Sequence, residues 1–309
     1  MSPPTLALKV DVDTLRGTLE GVPRLVEMFQ RHQTDATFLF SLGPDHTGWA
    51  ITRVFRRGFL GKVKRTSVID HYGLKTLLYG TLLPGPDIGR RAAGVMRAVR
   101  DAGFETGVHC WDHVRWQDHV VGANHEWTAR QMQLATDRFS EIFGATARVH
   151  GAAGWQMNGH ALRLSEALGF AYDSDSRGTH PFLPVVDGET LRCPQFPTTL
   201  PTLDELIGVD GVTPDNVADR LLALTQTAPA AGHVFTLHAE LEGIKFLPIL
   251  DELLSGWRAQ GYHLGALRSL AEATALDALP RHEIAYGSVP GRTGVLLVQG
   301  PAFFNTQQG

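Results

Sequence analysis

The sequence predicts an α/β protein: a distorted (β/α) barrel of about seven parallel strands, interrupted by one helical insertion that is both basic and apolar. Short apolar runs of strand length alternate with stretches of helical periodicity six or seven times along the chain. The intervening lengths suit crossover connections, which join parallel strands in a right-handed sense. Hydrophobic residues make up 43% of 309 positions and charged residues 19%, enough for a sizeable core and too apolar for a disordered chain.

Taken in order, Leu6 to Asp13 reads as a buried strand. Gly21, Val22 and Pro23 open a helix whose apolar face is Leu25, Val26, Met28 and Phe29, with proline near the first turn where it is tolerated. The run Ala36 to Leu42 is the next strand. Helices are then expected at about Asp87 to Ala102, Glu126 to Phe143, Asn158 to Leu168, Pro214 to Thr225 and Phe246 to Gln260. Strands are expected at Phe104 to His109, Ala147 to His150, Phe170 to Ser174 and His233 to His238. With no internal repeat and no Gly/Ser linker, residues 1–301 read as a single domain. An insertion occupies about 46–86, and 302–309 form a tail.

The net charge of −4 hides an asymmetry. Between Trp49 and Leu83 stand seven basic residues (Arg53, Arg56, Arg57, Lys62, Lys64, Arg65, Lys75) against the single acid Asp70. A local basic block in an acidic chain implies an anionic partner at one place. Interleaved with it are Trp49, Phe55, Phe59 and other apolar residues. Trp49, Phe55, Arg56, Arg57, Phe59, Lys62, Lys64 and Arg65 are therefore expected to face an anionic membrane surface, as an interfacial amphipathic segment does; the alternative is a helical pair packed on the barrel. The start shows no charged, then apolar, leader pattern, and no apolar run approaches the roughly 20 residues that span a bilayer. The expected place is cytoplasmic and peripheral to the membrane. The two cysteines, Cys110 and Cys193, lack any C-x-x-C spacing, which argues against a disulfide framework or structural zinc. Neither a nucleic acid nor an obligate protein partner is expected.

In a parallel α/β barrel the C-terminal strand ends line the active site. The polar residues at those ends are Asp11 and Asp13, His109 with His113 four residues on, Asp173 and Asp175 with Arg177 behind, and His238 followed by Glu240 and Glu242. Each has a bland reading: an aspartate that caps a loop, a histidine paired in the core. Their convergence does not. One carboxylate and two imidazoles make a facial set for a divalent ion. A second carboxylate suits a base and a further histidine an acid, the equipment of amide or ester hydrolysis.

The Asp pair on the first strand, the H-x-x-x-H pair and the late Leu-His resemble the polysaccharide deacetylase family (NodB homology domain, carbohydrate esterase family 4). The stretches DVDTLRGTLEGVPRL, HCWDH, AAGW, DSDSRG, FPTTLPTLDELIG and HAELEG resemble one branch of it. That branch removes formate from a 4-formamido-arabinose carried on undecaprenyl phosphate, during modification of lipid A. The resemblance implies a NodB-like barrel and one divalent ion (Zn, Co, Mn or Ni) on Asp13, His109 and His113. It implies Asp11 as catalytic base, His238 as general acid, and Leu237 lining the sugar pocket. Trp155 and Glu240 are taken as substrate-binding or orienting. The family's third motif usually holds an arginine that orients the base, where this chain has Gly151-Ala152-Ala153-Gly154-Trp155. Arg177 is the expected substitute, and Asp175 is expected to set the protonation of His238. A deacetylase of another N-acylated sugar and a non-catalytic lipid-phosphate-binding barrel are the alternatives; the latter would be expected to have lost Asp11 or His238.

Overall fold

The computed structural model describes residues 3–49, 76–292 and 294–304. Its strands in chain order are β1 (Thr5–Val12), β2 (Thr37–Ser41), β3 (Glu105–Cys110), β4 (Val149–His150), β5 (Tyr172–Asp173), β6 (Leu183–Val186), β7 (Glu189–Thr190), β8 (His233–His238), β9 (His263–Gly265), β10 (Arg281–Gly287) and β11 (Leu296–Ala302). The helices are α1 (Val22–Arg31), α2 (Ile88–Asp101), α3 (His113–His119), α4 (His125–Phe143), α5 (Gly159–Ala167), α6 (Leu203–Leu206), α7 (Val217–Leu224), α8 (Leu247–Ala259) and α9 (Leu267–Ala273). Side-chain caps start several of them. Asp87, Asp112, Asn124 and Asn158 each accept the backbone N–H three residues on. Gly144, left-handed at φ 68°, ends α4.

Seven strands form one wholly parallel sheet in the order β5-β4-β3-β2-β1-β8, with β9 also on β1. Strand β9 pairs with Thr5–Ala7 of β1, while β2 pairs with the later residues Lys9–Val12. The sheet curls, and among the described residues no further strand joins β5 to β8. An irregular segment, 194–200, spans that gap instead. It exchanges backbone hydrogen bonds with Asp173 of β5, and Thr199 and Leu200 both donate to Val234 of β8. This is the expected distorted barrel, with one wall made of loop.

Strand β1 is buried on both faces, and its alternation sorts the core. Leu6, Leu8, Val10 and Val12 join the large outer cluster beneath the helices. Ala7 joins the smaller inner cluster with Leu39, Val149, Tyr172, Phe196 and Val234, floored by Leu267 and Leu270 of α9. Of the remaining odd positions, Lys9 and Asp11 are polar and also buried. A second sheet, β11-β10-β6-β7, was not expected. Its β10 and β11 carry mixed, half-exposed residues with no clean alternation, so periodicity could not reveal them. Strand β11 runs to Ala302, and Phe303 still donates to Arg281.

Phe55, Arg56, Arg57, Phe59, Lys62, Lys64 and Arg65 lie outside the described residues. Trp49 does not face outward as expected. Its ring stacks on His46 at 4.0 Å and its Nε1 donates to the carbonyl of Gly80, so it ties the stretch that ends at 49 to the one that resumes at 76. Gly80 (φ 79°) permits this: a Cβ there would lie 2.8 Å from His46 Cδ2 and 3.0 Å from Trp49 Nε1. Among the described residues no helix is long and apolar enough to cross a membrane.

One buried cluster beside β4 and β5 ties stability to pH. His150 Nδ1 lies 2.7 Å from Asp175 Oδ1. Burial, reinforced by the charge of Asp175, pushes Asp173 up from 3.8 to about 8. Burial opposes protonation of His150, but Asp175 more than reverses it and the value is raised above 6.5. Both groups hold protons more tightly folded than unfolded, so stability falls as pH rises, between 3.8 and about 8 for Asp173. The slope is at most about 1.4 kcal/mol per pH unit for each group. Urea denaturation is expected to give a lower unfolding free energy at pH 8 than at pH 5.5, and Asp173→Asn to flatten the difference. An unaltered slope in the variant would refute the assignment.

Candidate active site

The site sits at the C-terminal mouth of the barrel, where β1, β3 and β8 deliver their last inward side chains. Register sets the first pair: Asp11 of β1 stands directly opposite His238 of β8. Asp13 follows one pleat later. His109 comes from the end of β3 and His113 from the first position of α3, whose start is fixed by the buried N-cap Asp112. Over them opens a cleft of ≈ 190 Å³, bordered also by Thr14, Thr47, Gln117, Gly154, Asp204, Glu240, Leu241 and Arg292.

Asp13, His109 and His113 form one group whose ligand atoms lie within 4.8 Å of one another. His109 Nε2 is 3.2 Å from Asp13 Oδ1, and His113 Nε2 is 3.4 Å from Asp13 Oδ2. The proton of His109 is located by its other nitrogen, which lies 2.6 Å from the carbonyl oxygen of Gly151. A carbonyl can only accept, so Nδ1 carries the hydrogen, and in the neutral ring Nε2 turns a lone pair toward a carboxylate oxygen that has no hydrogen-bond partner. Two lone pairs facing each other in a buried place call for a cation between them, and the donor set suits a divalent ion. Burial raises the pKa of Asp13, but the histidines outweigh it and hold the carboxyl far below the usual range.

His238 is held in a ring of acids. Burial alone would lower its pKa, but Asp204, Asp13, Glu242 and Asp11 reverse the sign and raise it to about 9. Its backbone N–H donates to Glu242 Oε2 at 2.7 Å, and its Nδ1 has no hydrogen-bond partner. Glu240 borders the cleft but spends Oε1 on the loop after β1, accepting from Asp13 N (3.1 Å), Thr14 N (2.8 Å) and Thr14 Oγ1 (2.8 Å). A Cβ on Gly17 would fall 1.9 Å from that oxygen, so the loop closes only over glycine. Glu240 thus orients Asp13 through the backbone.

Four expected residues are placed differently. Arg177 does not reach Asp11: Nη1 pairs with Glu205 at 2.5 Å, while Nη2 and Nε donate to the carbonyls of Leu200 and Thr198. The cation beside Asp11 is Lys9, 3.5 Å from Oδ2. Asp175 does not act on His238, because its oxygens are taken by His150, Ala152 N and Gln195. Leu237 points into the outer core by the strand alternation, and Leu241 borders the cleft in its stead. Trp155 lies behind the wall, with Arg292, Arg177 and Lys9 stacked at 4.4, 4.9 and 5.3 Å from its ring, and Gly154 reaches the cleft. Since Arg177 pairs with a buried glutamate, Arg177→Met is expected to cost about 3 kcal/mol of stability. It should leave kcat within about threefold of wild type. A large loss of kcat at unchanged stability would return Arg177 to the chemistry.

Sequence reading missed Lys9, Asp204 and Arg292. Lys9 had a visible signal, the one basic residue in a strand that reads as buried on both faces. Asp204 lay within FPTTLPTLDELIG, but nothing local distinguishes it. Arg292 comes from a loop 54 positions after His238 and left no trace.

No family model matches the chain. Solved structures of low identity share its fold. A protein of Mycobacterium smegmatis assigned as a polysaccharide deacetylase aligns with a TM-score of 0.61 at 17% identity, covering 94% of this chain and 99% of its own. A peptidoglycan N-acetylglucosamine deacetylase aligns at 0.52 with 14% identity, covering 87% and 91%. The fold is therefore the NodB-like one of the carbohydrate esterase family 4 deacetylases. Two curated relatives narrow the family. One from Shewanella sediminis is 35% identical over 95% of this chain and 94% of its own. One from Wigglesworthia glossinidia brevipalpis is 30% identical over 92% and 98%. Both are named as probable 4-deoxy-4-formamido-L-arabinose-phosphoundecaprenol deformylases, and this chain belongs to that family.

Proposed function

We propose that this enzyme hydrolyses the formamide of undecaprenyl phosphate 4-deoxy-4-formamido-L-arabinose, releasing formate and the free 4-amino sugar, as a step in modifying lipid A with aminoarabinose. The substrate is carried over from the names of the two relatives. The observation that carries the chemistry is the pairing of Asp11 with His238 in register, above a compact Asp-His-His group.

A divalent ion held by Asp13, His109 and His113 would supply polarisation of the formyl oxygen and acidification of the attacking water. The chain's own residues do the rest. Asp11 accepts a proton as the water oxygen bonds to the formyl carbon. His238, with Asp204 and Glu242 beside it, gives its proton to the nitrogen as the carbon–nitrogen bond breaks. Formamide and water thus give the amine and formic acid, which ionises to formate; Asp11 has gained the proton that His238 has given up, and the pair resets by exchanging it. Glu240 keeps Asp13 in place, and Asp204 and Arg292 border the sugar side of the cleft. The test is formate release from a formamido-arabinose polyprenyl phosphate beside its N-acetyl counterpart. Turnover of the acetylated sugar alone would replace the deformylase with a deacetylase.

The same reading makes residues 1–301 one domain with an insertion at about 46–86 that meets the cytoplasmic face of the inner membrane. A polyprenyl chain leaves a bilayer only at about 0.8 kcal/mol per CH₂, so the enzyme has to go to its substrate. Leu82 at the base of the insertion is 80% exposed, which supports an apolar contact there. Each basic residue near an anionic surface contributes about 1 kcal/mol. The double variant Arg56→Glu, Arg57→Glu is therefore expected to weaken sedimentation with phosphatidylglycerol vesicles by tenfold or more. Equal sedimentation would remove the basic face from the interaction.

A further inference from the structure

We infer that Lys9 is a positioning residue for the reaction: its ammonium tethers one oxygen of Asp11 and leaves the other without a hydrogen-bond partner, free to take a proton. The inference rests on Asp11 acting as the base. Lys9 is fully buried and crosses the barrel interior, from the middle of β1 to the end of β5, where Nζ donates to the carbonyl oxygen of Ser174 at 2.8 Å. On the way Nζ passes 3.5 Å from Asp11 Oδ2 and 5.3 Å from the centroid of Trp155. The surroundings leave room for it. A Cβ on Gly151 would meet Lys9 Cε at 3.0 Å and Nζ at 3.3 Å, so the residue opposite the ammonium carries no side chain.

The two oxygens of Asp11 are consequently unlike. Oδ2 faces a cation that is itself anchored at its far side. Oδ1 is buried with no hydrogen-bond partner, and His109 Nδ1, 3.9 Å away, already spends its proton on Gly151. A carboxylate on a single-bonded stem can turn about that bond; pinned at one oxygen, it presents the other in one direction. Near-attack geometry is sensitive to this, and misplacement of about 1 Å can cost about 10²-fold in rate.

Lys9→Met keeps the length and removes the charge. In the metal-loaded enzyme it is expected to lower kcat for formate release about 10²-fold while KM and metal content stay within about twofold. Lys9→Arg should recover part of the loss. Because Lys9 acts through Asp11, adding Lys9→Met to Asp11→Asn should cost less than about threefold more. A Lys9→Met enzyme within threefold of wild type, or losses that multiply in the double variant, would overturn the assignment. Crystals of Lys9→Met supply a readout free of substrate: the Asp11 carboxylate is expected to leave its wild-type plane, and an unmoved carboxylate overturns the proposal. Were wild type inactive on both formyl and acetyl sugars, the function proposed above would fall, and the crystal comparison would still decide Lys9.

Discussion

Asp13→Ala is expected to abolish metal binding and formate release together. Its two oxygens face the two histidines from one carboxylate, at 3.2 and 3.4 Å, so no other side chain can hold the same place between them. Removing it leaves His109 and His113, and two imidazoles alone hold a divalent ion weakly. His109→Gln should act in the same direction, with its Gly151 contact also lost. Metal content by mass spectrometry of the purified variant, beside turnover, checks the claim. Full metal occupancy in Asp13→Ala would remove Asp13 from the ligand set. Chelation of wild type should reproduce the loss, and readdition of a divalent ion should restore it.

Asp11→Asn should separate binding from chemistry. The amide has the same shape but cannot take a proton at neutral pH, so kcat is expected to fall about 10³-fold. The metal should stay, because Asp11 lies outside the Asp-His-His group. The variant also leaves Lys9 without its carboxylate in a fully buried position. Breaking a buried pair costs about 3–5 kcal/mol, so a lower melting temperature should accompany the kinetic loss. Loss of metal in Asp11→Asn would make Asp11 a ligand, and undiminished turnover would leave the base to another group. The comparison of Asp13→Ala with Asp11→Asn is thus sharper than either variant alone.

Much of this site was legible before any coordinates. Aspartates two apart at the end of a strand, histidines four apart across a strand end and a helix start, and a histidine ending the last strong strand all stand where expected, because parallel strands project their terminal residues to one mouth. The resemblance to deacetylases rests on those residues, and the relatives agree with it. Arg177 shows where such reading stops. Its position beside a strand end suggested a guanidinium that orients the base, but the 194–200 wall and Glu205 claimed its donors. Asp175 was likewise claimed by His150 and Gln195. Position along the chain says which mouth a residue is near, and says nothing about competing partners that arrive from elsewhere.

The alternation of strands and helices, the convergent carboxylates and histidines, and the basic run between Trp49 and Leu83 are properties of local order, and the sequence by itself determined them. Tertiary structure decided the rest. It decided that β8 pairs with β1 so that Asp11 meets His238, since register depends on how the whole sheet packs. It decided that a loop rather than a strand spans β5 to β8, and that a second sheet gathers segments about a hundred residues apart. It also decided which cation stands beside Asp11. A buried charge takes whichever partner lies within reach in low-dielectric surroundings, and only the folded chain sets those distances.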